Sequence, residues 1–366
     1  MIINDMTIVS RITYFLNDFA SFLIVSLITI PGFIIVAIKI YKSHRKAEKK
    51  KLFLAVSTIG LSLIFIFVTF EAYFRYVYDV PDGLGFLNVS KKWNERHVVY
   101  NNYFYRDRNF EGEKQEGVTR IGVMGDSITY GGGIENPNDR FSNILEKNLR
   151  DAGYHVEVYN LGRPGYDTEQ EISEFEKVRH LNFDILIWQY FLNDIQPNIK
   201  STGTRIIETN RNTSKIVSFL SDKSYFFDFI YWRLSNKYSK TIRQLWAADI
   251  AQYSNEPLFE KHKNNIGNFI SSLKGQSTQV LVIIFPSVFL LGPNYPAAHI
   301  HEMTTEVFKS NGVEVLDLLS DFQKLNKKEL MASKFDPHPN EYVHNIAAEK
   351  LYEKIIPILD QLPNDQ

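Results

Sequence analysis

Three stretches of this chain fix its class: Arg120-Ile121-Gly122-Val123-Met124, Asp184-Ile185-Leu186-Ile187-Trp188-Gln189-Tyr190 and Gln279-Val280-Leu281-Val282-Ile283-Ile284-Phe285. Each is an almost unbroken apolar run rather than an alternation of apolar and polar residues. A strand of that kind must be covered on both faces, which is the situation of a parallel sheet between helical layers. Shorter strand patterns stand at Val156 to Tyr159 and at Val313 to Leu316. Helical spacing separates them: Ile144, Leu145 and Leu149 mark one helix, residues 167–180 a second, 301–311 a third, and 340–362 the last. Strands alternating with helices predict a doubly wound α/β domain. The segment 200–274 is too long for a simple crossover, and its Tyr225, Phe226, Phe227, Phe229, Tyr231 and Trp232 predict a helical insertion over the sheet edge, a lid or a substrate wall.

The N-terminal part is of another kind. Residues 19–41 and 52–70 are two apolar runs, each about 20 residues long, the length a helix needs to cross roughly 30 Å of hydrocarbon. Pro31 kinks the first run at a cost that membranes tolerate, and Lys39, the only charge, is near enough to an end to snorkel. Between the runs lie Lys42, His44, Arg45, Lys46, Lys49, Lys50 and Lys51 with one acid, Glu48. Such a cluster stays cytoplasmic. Two crossings then place both termini outside, with Arg75, Tyr76 and Tyr78 near the outer interface. A secretory signal peptide fits poorly, because no basic segment directly precedes a short apolar core and no small-residue cleavage site follows it. The expected organisation is a membrane anchor over 1–75, a linker and domain-edge segment over 76–117, and an α/β domain over 118–366. The lipid bilayer is thus an expected partner.

A formal net charge of -1 gives no field for nucleic acid, so none is expected as a partner. The absence of cysteine excludes disulfides, thiolate metal sites and a cysteine nucleophile. His299, His301 and Glu302 lack the His-Glu-x-x-His arrangement of a zinc helix and read as surface histidines; no metal is expected. Gly131-Gly132-Gly133 is not followed by Lys-Ser/Thr, so it is no phosphate loop, and no other cofactor signature appears. Gly-x-Ser-x-Gly is missing around Ser127, which argues against an α/β-hydrolase elbow.

The first strand runs into Gly125-Asp126-Ser127-Ile128-Thr129, which offers a hydroxyl just beyond a strand's carboxyl end, where open α/β sheets bind ligands. A serine hydroxyl needs a base, a group that orients the base, and donors for an oxyanion. Candidates follow in order. Asn160-Leu161-Gly162-Arg163-Pro164-Gly165-Tyr166-Asp167-Thr168 holds a glycine, Gly165, that allows close backbone approach. Phe191-Leu192-Asn193-Asp194 offers the Asn193 carboxamide, and Phe335-Asp336-Pro337-His338-Pro339-Asn340 offers His338 with Asp336 two residues earlier, on the same side of an extended segment. His344 competes with His338 but lies inside the last helix.

These four blocks resemble those of the SGNH, or GDSL-type, hydrolases, over roughly Arg120 to the C-terminus. The resemblance implies a flavodoxin-like three-layer α/β/α fold and ester hydrolysis by a Ser-His-Asp triad. It assigns the nucleophile to Ser127, the base and its partner to His338 and Asp336, and the oxyanion donors to Ser127, Gly165 and Asn193. Two positions depart from the pattern. Phe191 stands where the third block usually has glycine, and a single residue separates Asp336 from His338 where two are usual, a short form similar to that of membrane-anchored or polysaccharide-associated branches. With the anchor, these features predict a membrane-tethered, extracytoplasmic esterase for an ester-bearing substrate, an acylated polysaccharide or a lipid. An O-acyltransferase acting on an exported glycan and a catalytically silent envelope scaffold are the alternatives.

Overall fold

A computed structural model describes residues 16, 18–20, 22, 30–43, 47–195 and 198–362. They divide into two compact units, one of residues up to 78 together with Lys223–Phe227, the other of Asp79–Asp222 and Asp228 onward.

In the first unit, helix α1 (Ala47–Ala72) continues through a π-helical turn, Tyr73–Val77. Together they form the one helix among the described residues that is long and apolar enough to cross a membrane. Its 31 residues span about 46 Å at 1.5 Å per residue. Leu52, Leu63 and Phe65 stand out from it, each more than half exposed. The first of the two predicted runs, 19–41, lies partly outside the described residues; within it residues 30–41 belong to a helix that extends to 43. Near the far end of α1, buried Glu71 accepts hydrogen bonds from Ser224 Oγ (2.7 Å), Tyr225 N (3.1 Å) and Phe226 N (3.0 Å). Phe226 packs on Phe67, Phe70 and Phe74. Arg75 Nη2 donates to the Lys223 carbonyl at 2.7 Å.

The second unit is a five-stranded sheet, all parallel, in the order β2-β1-β3-β4-β5, made of β1 (Thr119–Met124), β2 (Val156–Asn160), β3 (Ile185–Tyr190), β4 (Gln279–Ile284) and β5 (Glu314–Asp317). This is the flavodoxin-like order, with its switch point between β1 and β3. The period of two along each strand sorts side chains into two cores. Ile121, Val123, Ile185, Ile187, Leu281 and Ile283 face a layer containing α4 (Phe141–Asp151) and the last helix, Glu341–Leu359. Met124, Leu186, Trp188, Val282 and Ile284 face the layer of α5 (Thr168–Val178), which has a capping box at Asp167 and Gln170. Between α1 and the sheet the chain adds α2 (Asn88–His97), which its polar sequence had concealed, and α3 (Ser127–Tyr130) follows β1 directly.

Five helices fill the region between β3 and β4: α6 (Asn198–Arg211), α7 (Lys215–Lys223), α8 (Tyr225–Leu234), α9 (Lys237–Gln252) and α10 (Glu256–Lys274). After β4 come α11 (Ala298–Ser310), β5 and α12 (Leu319–Phe322). A short antiparallel hairpin of β6 (Met331–Ser333) and β7 (Asp336–Pro339) then leads into α13 (Glu341–Leu359). The hairpin carries the last sequence block.

Candidate active site

The turn after β1 is held by a residue the sequence did not single out. Gln189, fully buried on β3, offers Oε1 to Asp126 N (3.2 Å), Thr129 N (3.2 Å) and Thr129 Oγ1 (2.9 Å). One amide oxygen on a neighbouring strand thus ties both ends of the Gly125–Thr129 turn. A Cβ on Gly125 would lie 2.4 Å from that oxygen, which explains the glycine. Asp126 caps α3 by accepting from Ile128 N at 2.9 Å. Burial raises its pKa against the opposing influence of the Ile128 N–H, of His338 and of the Asn193 and Gln189 side chains.

The second block packs straight onto this turn. Asn160 Nδ2 donates to Thr129 O (2.6 Å) and Ser142 Oγ (2.8 Å), while its Oδ1 accepts from Gly162 N (3.1 Å). A Cβ on Gly162 would sit 2.1 Å from Tyr130 N, so the close approach belongs to Gly162. Gly165 is exposed, with φ of 71°, and no acceptor takes its N–H among the described residues.

The hairpin delivers the remaining groups. Asp336 and His338, two apart on β7, project the same way. His338 Nε2 lies 2.8 Å from Ser127 Oγ, and His338 Nδ1 is hydrogen-bonded to Asp336 Oδ1, which also accepts the His338 N–H at 3.1 Å. Asp336 is buried, whereas the His338 side chain keeps 21% exposure. Burial pushes the His338 pKa down, but the charge and hydrogen bond of Asp336, with the Asp126 charge, outweigh it and the net shift is upward. The imidazole lies against Gly132, where an added Cβ would come within 3.0 Å of Cγ and 3.1 Å of Nδ1. Gly133 similarly leaves room for Ala332 and Asp336. Gly132 and Gly133 are therefore a bed for the His–Asp pair, while Gly131 makes room for Arg140 and Arg106, roles that only the folded contacts reveal.

The outer side of the hairpin is covered by the segment that precedes α2. Gly83 N donates to Phe335 O (3.1 Å), and Ser333 Oγ donates to Pro81 O (3.2 Å). Tyr238 of α9 also donates to Phe335 O. A Cβ on Gly83 would meet Pro337 Cδ at 2.9 Å and Asp336 Oδ1 at 3.2 Å. Beside it Asp82 accepts from Leu84 N (2.9 Å) and Leu87 N (2.6 Å), and its pKa is raised to about 6, first by burial, with the Asp336 charge adding to it. Arg106, fully buried, braces the glycine loop by donating to Gly131 O (2.7 Å), Ile134 O (2.6 Å) and His97 O (2.9 Å).

Phe191, which stands where the third block usually has glycine, packs inward. Its ring is buried in the core and meets Trp246 of α9 edge-on at 5.4 Å, while its N–H donates to Asp194 Oδ2 at 2.9 Å. Asn193 sits beside Asp126, with its own Oδ1 buried and unpaired. Of the competing histidines, His344 is buried, accepts from Phe141 N at 3.1 Å, and burial holds its pKa at about 3. His301 corrects the surface reading. It is buried, with Nδ1 2.7 Å from Asp317 Oδ1 and Nε2 3.4 Å from Tyr295 OH, because its helix lays it between β5 and the loop after β4. His299 is exposed. Away from the site, Asp79, His97 and Glu135 bring ligand atoms within 4.8 Å of one another, but Asp79 is already taken by Arg96 at 2.5 Å.

Among solved structures the chain is similar to TesA (15% identity, TM-score 0.42, 66% of this chain and 99% of that one). It is similar also to the acetyl xylan esterase AlAXEase (16%, 0.41, 65% and 100%) and to a catalytic mutant of Axe2, an acetylxylan esterase from Geobacillus stearothermophilus (12%, 0.42, 67% and 97%). A comparison with curated proteins gave no match. Residues 123–346, well over half of the sequence and including every block described above, match the GDSL-like Lipase/Acylhydrolase profile, and the chain belongs to that family.

Proposed function

We propose that this protein is a membrane-tethered serine esterase whose α/β domain works outside the cytoplasm. One observation carries the chemistry: the continuous relay from Ser127 Oγ through His338 to Asp336. In this reading His338 Nε2 removes the Ser127 proton as Oγ attacks the ester carbonyl. Asp336 holds the Nδ1 proton and stabilises the imidazolium. The N–H groups of Ser127 and Gly165 and the Asn193 amide receive the oxyanion. His338 then returns its proton to the departing alcohol, leaving an acyl group on Ser127. Water, deprotonated by the same imidazole, attacks that acyl group and releases the acid and free serine.

Location rests on α1 and on the charges before it. Lys49, Lys50 and Lys51 keep the start of the Ala47–Val77 helix cytoplasmic, which puts its end, and the domain that follows, on the other side. A tethered enzyme meets substrates that are large or surface-bound, such as acylated polysaccharides or lipid esters. The test is hydrolysis of a short-chain acyl ester by the full-length protein in detergent, wild type beside Ser127→Ala. Activity lost in the variant supports the reading, and equal rates overturn it. Turnover that appears only when a glycan acceptor is added moves the assignment to an O-acyltransferase.

A further inference from the structure

Helix α7 exposes its apolar side. Ile216, Phe219 and Leu220 follow at i, i+3 and i+4, so they share one face, and they are 73%, 61% and 37% exposed. Val217 and Ser221, on the opposite flank, are the partly buried positions. This inverts the usual arrangement, in which the apolar stripe of a surface helix faces the core. Lys223 continues the exposed face at i+7 and Lys215 precedes it.

The end of this helix says what covers the face. Lys223, its last residue, belongs to the first unit, where its carbonyl takes the Arg75 Nη2 hydrogen bond at the end of the long apolar helix. The next three residues are fastened there by Glu71. A nine-residue helix is only about 14 Å long at 1.5 Å per residue. The covalent chain therefore tethers its apolar face directly to Lys223, the residue that the Arg75 hydrogen bond fastens in the first unit.

We propose that the Ile216–Phe219–Leu220 face of α7 lies in the headgroup–acyl boundary of the bilayer that the Ala47–Val77 helix crosses, with Lys215 and Lys223 reaching the phosphates. An exposed apolar stripe flanked by lysines is the pattern of an interfacial helix. The inference rests on the membrane-anchored reading above. It gives the enzyme a second, reversible foothold on lipid.

The natural absence of cysteine makes the test direct. Leu63→Cys, Phe219→Cys and Ser218→Cys are each introduced into the full-length protein and labelled with an environment-sensitive fluorophore. The proteins are then reconstituted in vesicles of phosphatidylethanolamine and phosphatidylglycerol. Quenching by nitroxide lipids and by aqueous iodide is compared. The proposal expects the label at 63 and the label at 219 to lose half or more of their emission to the lipid quencher, while the label at 218, on the polar side, responds to iodide. Lipid quenching at 63 with iodide quenching at 219 overturns the interfacial helix and leaves the anchor standing. Iodide quenching at 63 overturns the anchor and the inference with it.

Discussion

Gly132→Ala isolates the geometry of the proposed base without touching any reacting group. Gly132 needs no left-handed backbone, so the substitution adds one methyl and little else. That methyl would lie 3.0 Å from His338 Cγ, against an ordinary contact of at least 3.4 Å, so the ring must retreat by about 0.4 Å. The Ser127 Oγ to His338 Nε2 separation of 2.8 Å then approaches about 3.2 Å, the edge of a good hydrogen bond. Displacement of a reacting group by 1 Å costs about 100-fold, so 0.4 Å scales to about sixfold in kcat, or ~1 kcal/mol of transition-state stabilisation. Steady-state hydrolysis of a short-chain ester should give that loss in kcat, with KM and the thermal midpoint nearly unchanged. Undiminished kcat would refute the claim that Gly132 sets the position of the imidazole. A large fall in the thermal midpoint would mean that the methyl disturbs the fold rather than the base.

The pH profile tests the electrostatics. The proposed mechanism needs neutral His338, whose pKa is raised above the ordinary value, so kcat/KM should rise with pH with a midpoint above about 6.5. Asp336→Asn removes the main group opposing burial; the midpoint should move to lower pH, and kcat should fall by about 10⁴. Gln189→Leu leaves three buried donors on Asp126 and Thr129 without their acceptor, at about 1–3 kcal/mol each before relaxation. Urea unfolding should report a lowered midpoint together with lost activity. Arg106→Met strands the Gly131, Ile134 and His97 carbonyls and should destabilise by about 3 kcal/mol, with activity restored at low temperature. Glu71→Ala removes the acceptor for Ser224, Tyr225 and Phe226, and trypsin should then cut after Lys223 sooner than in wild type.

The sheet was legible because its strands are apolar on both faces, and Val123 or Ile187 can satisfy that pattern in no exposed position. The four blocks were legible because chemistry limits them to few residue types, and the fold brings Ser127, His338 and Asp336 into one relay. Contacts between distant segments were not. Gln189 reads as one polar interruption of an apolar strand, and its role exists only once β1 lies beside β3. The triple glycine matches no phosphate loop, and what Gly132 does, leaving space for a ring more than 200 residues away, is invisible in the sequence. Helix α2 was missed because its Trp93 and Val89 are the only strong apolar signals among polar neighbours. His301 looked like a surface residue because its partner, Asp317, sits on another element.

The strip around Pro81 and Gly83 also sets a schedule. It is made early, just after α1, yet what it clasps is the β6–β7 hairpin, separated from it by 252 residues between Pro81 and Ser333. Such long-range closure comes late, when the chain has paid the entropy of a large loop. During synthesis the serine turn, β2 and β3 can assemble before His338 is in place. The relay is completed only when the final tenth of the polypeptide arrives, so under the proposed mechanism an unfinished or truncated copy holds a serine with nothing to take its proton. Under the proposed mechanism, activity then doubles as a readout that the whole domain has been completed.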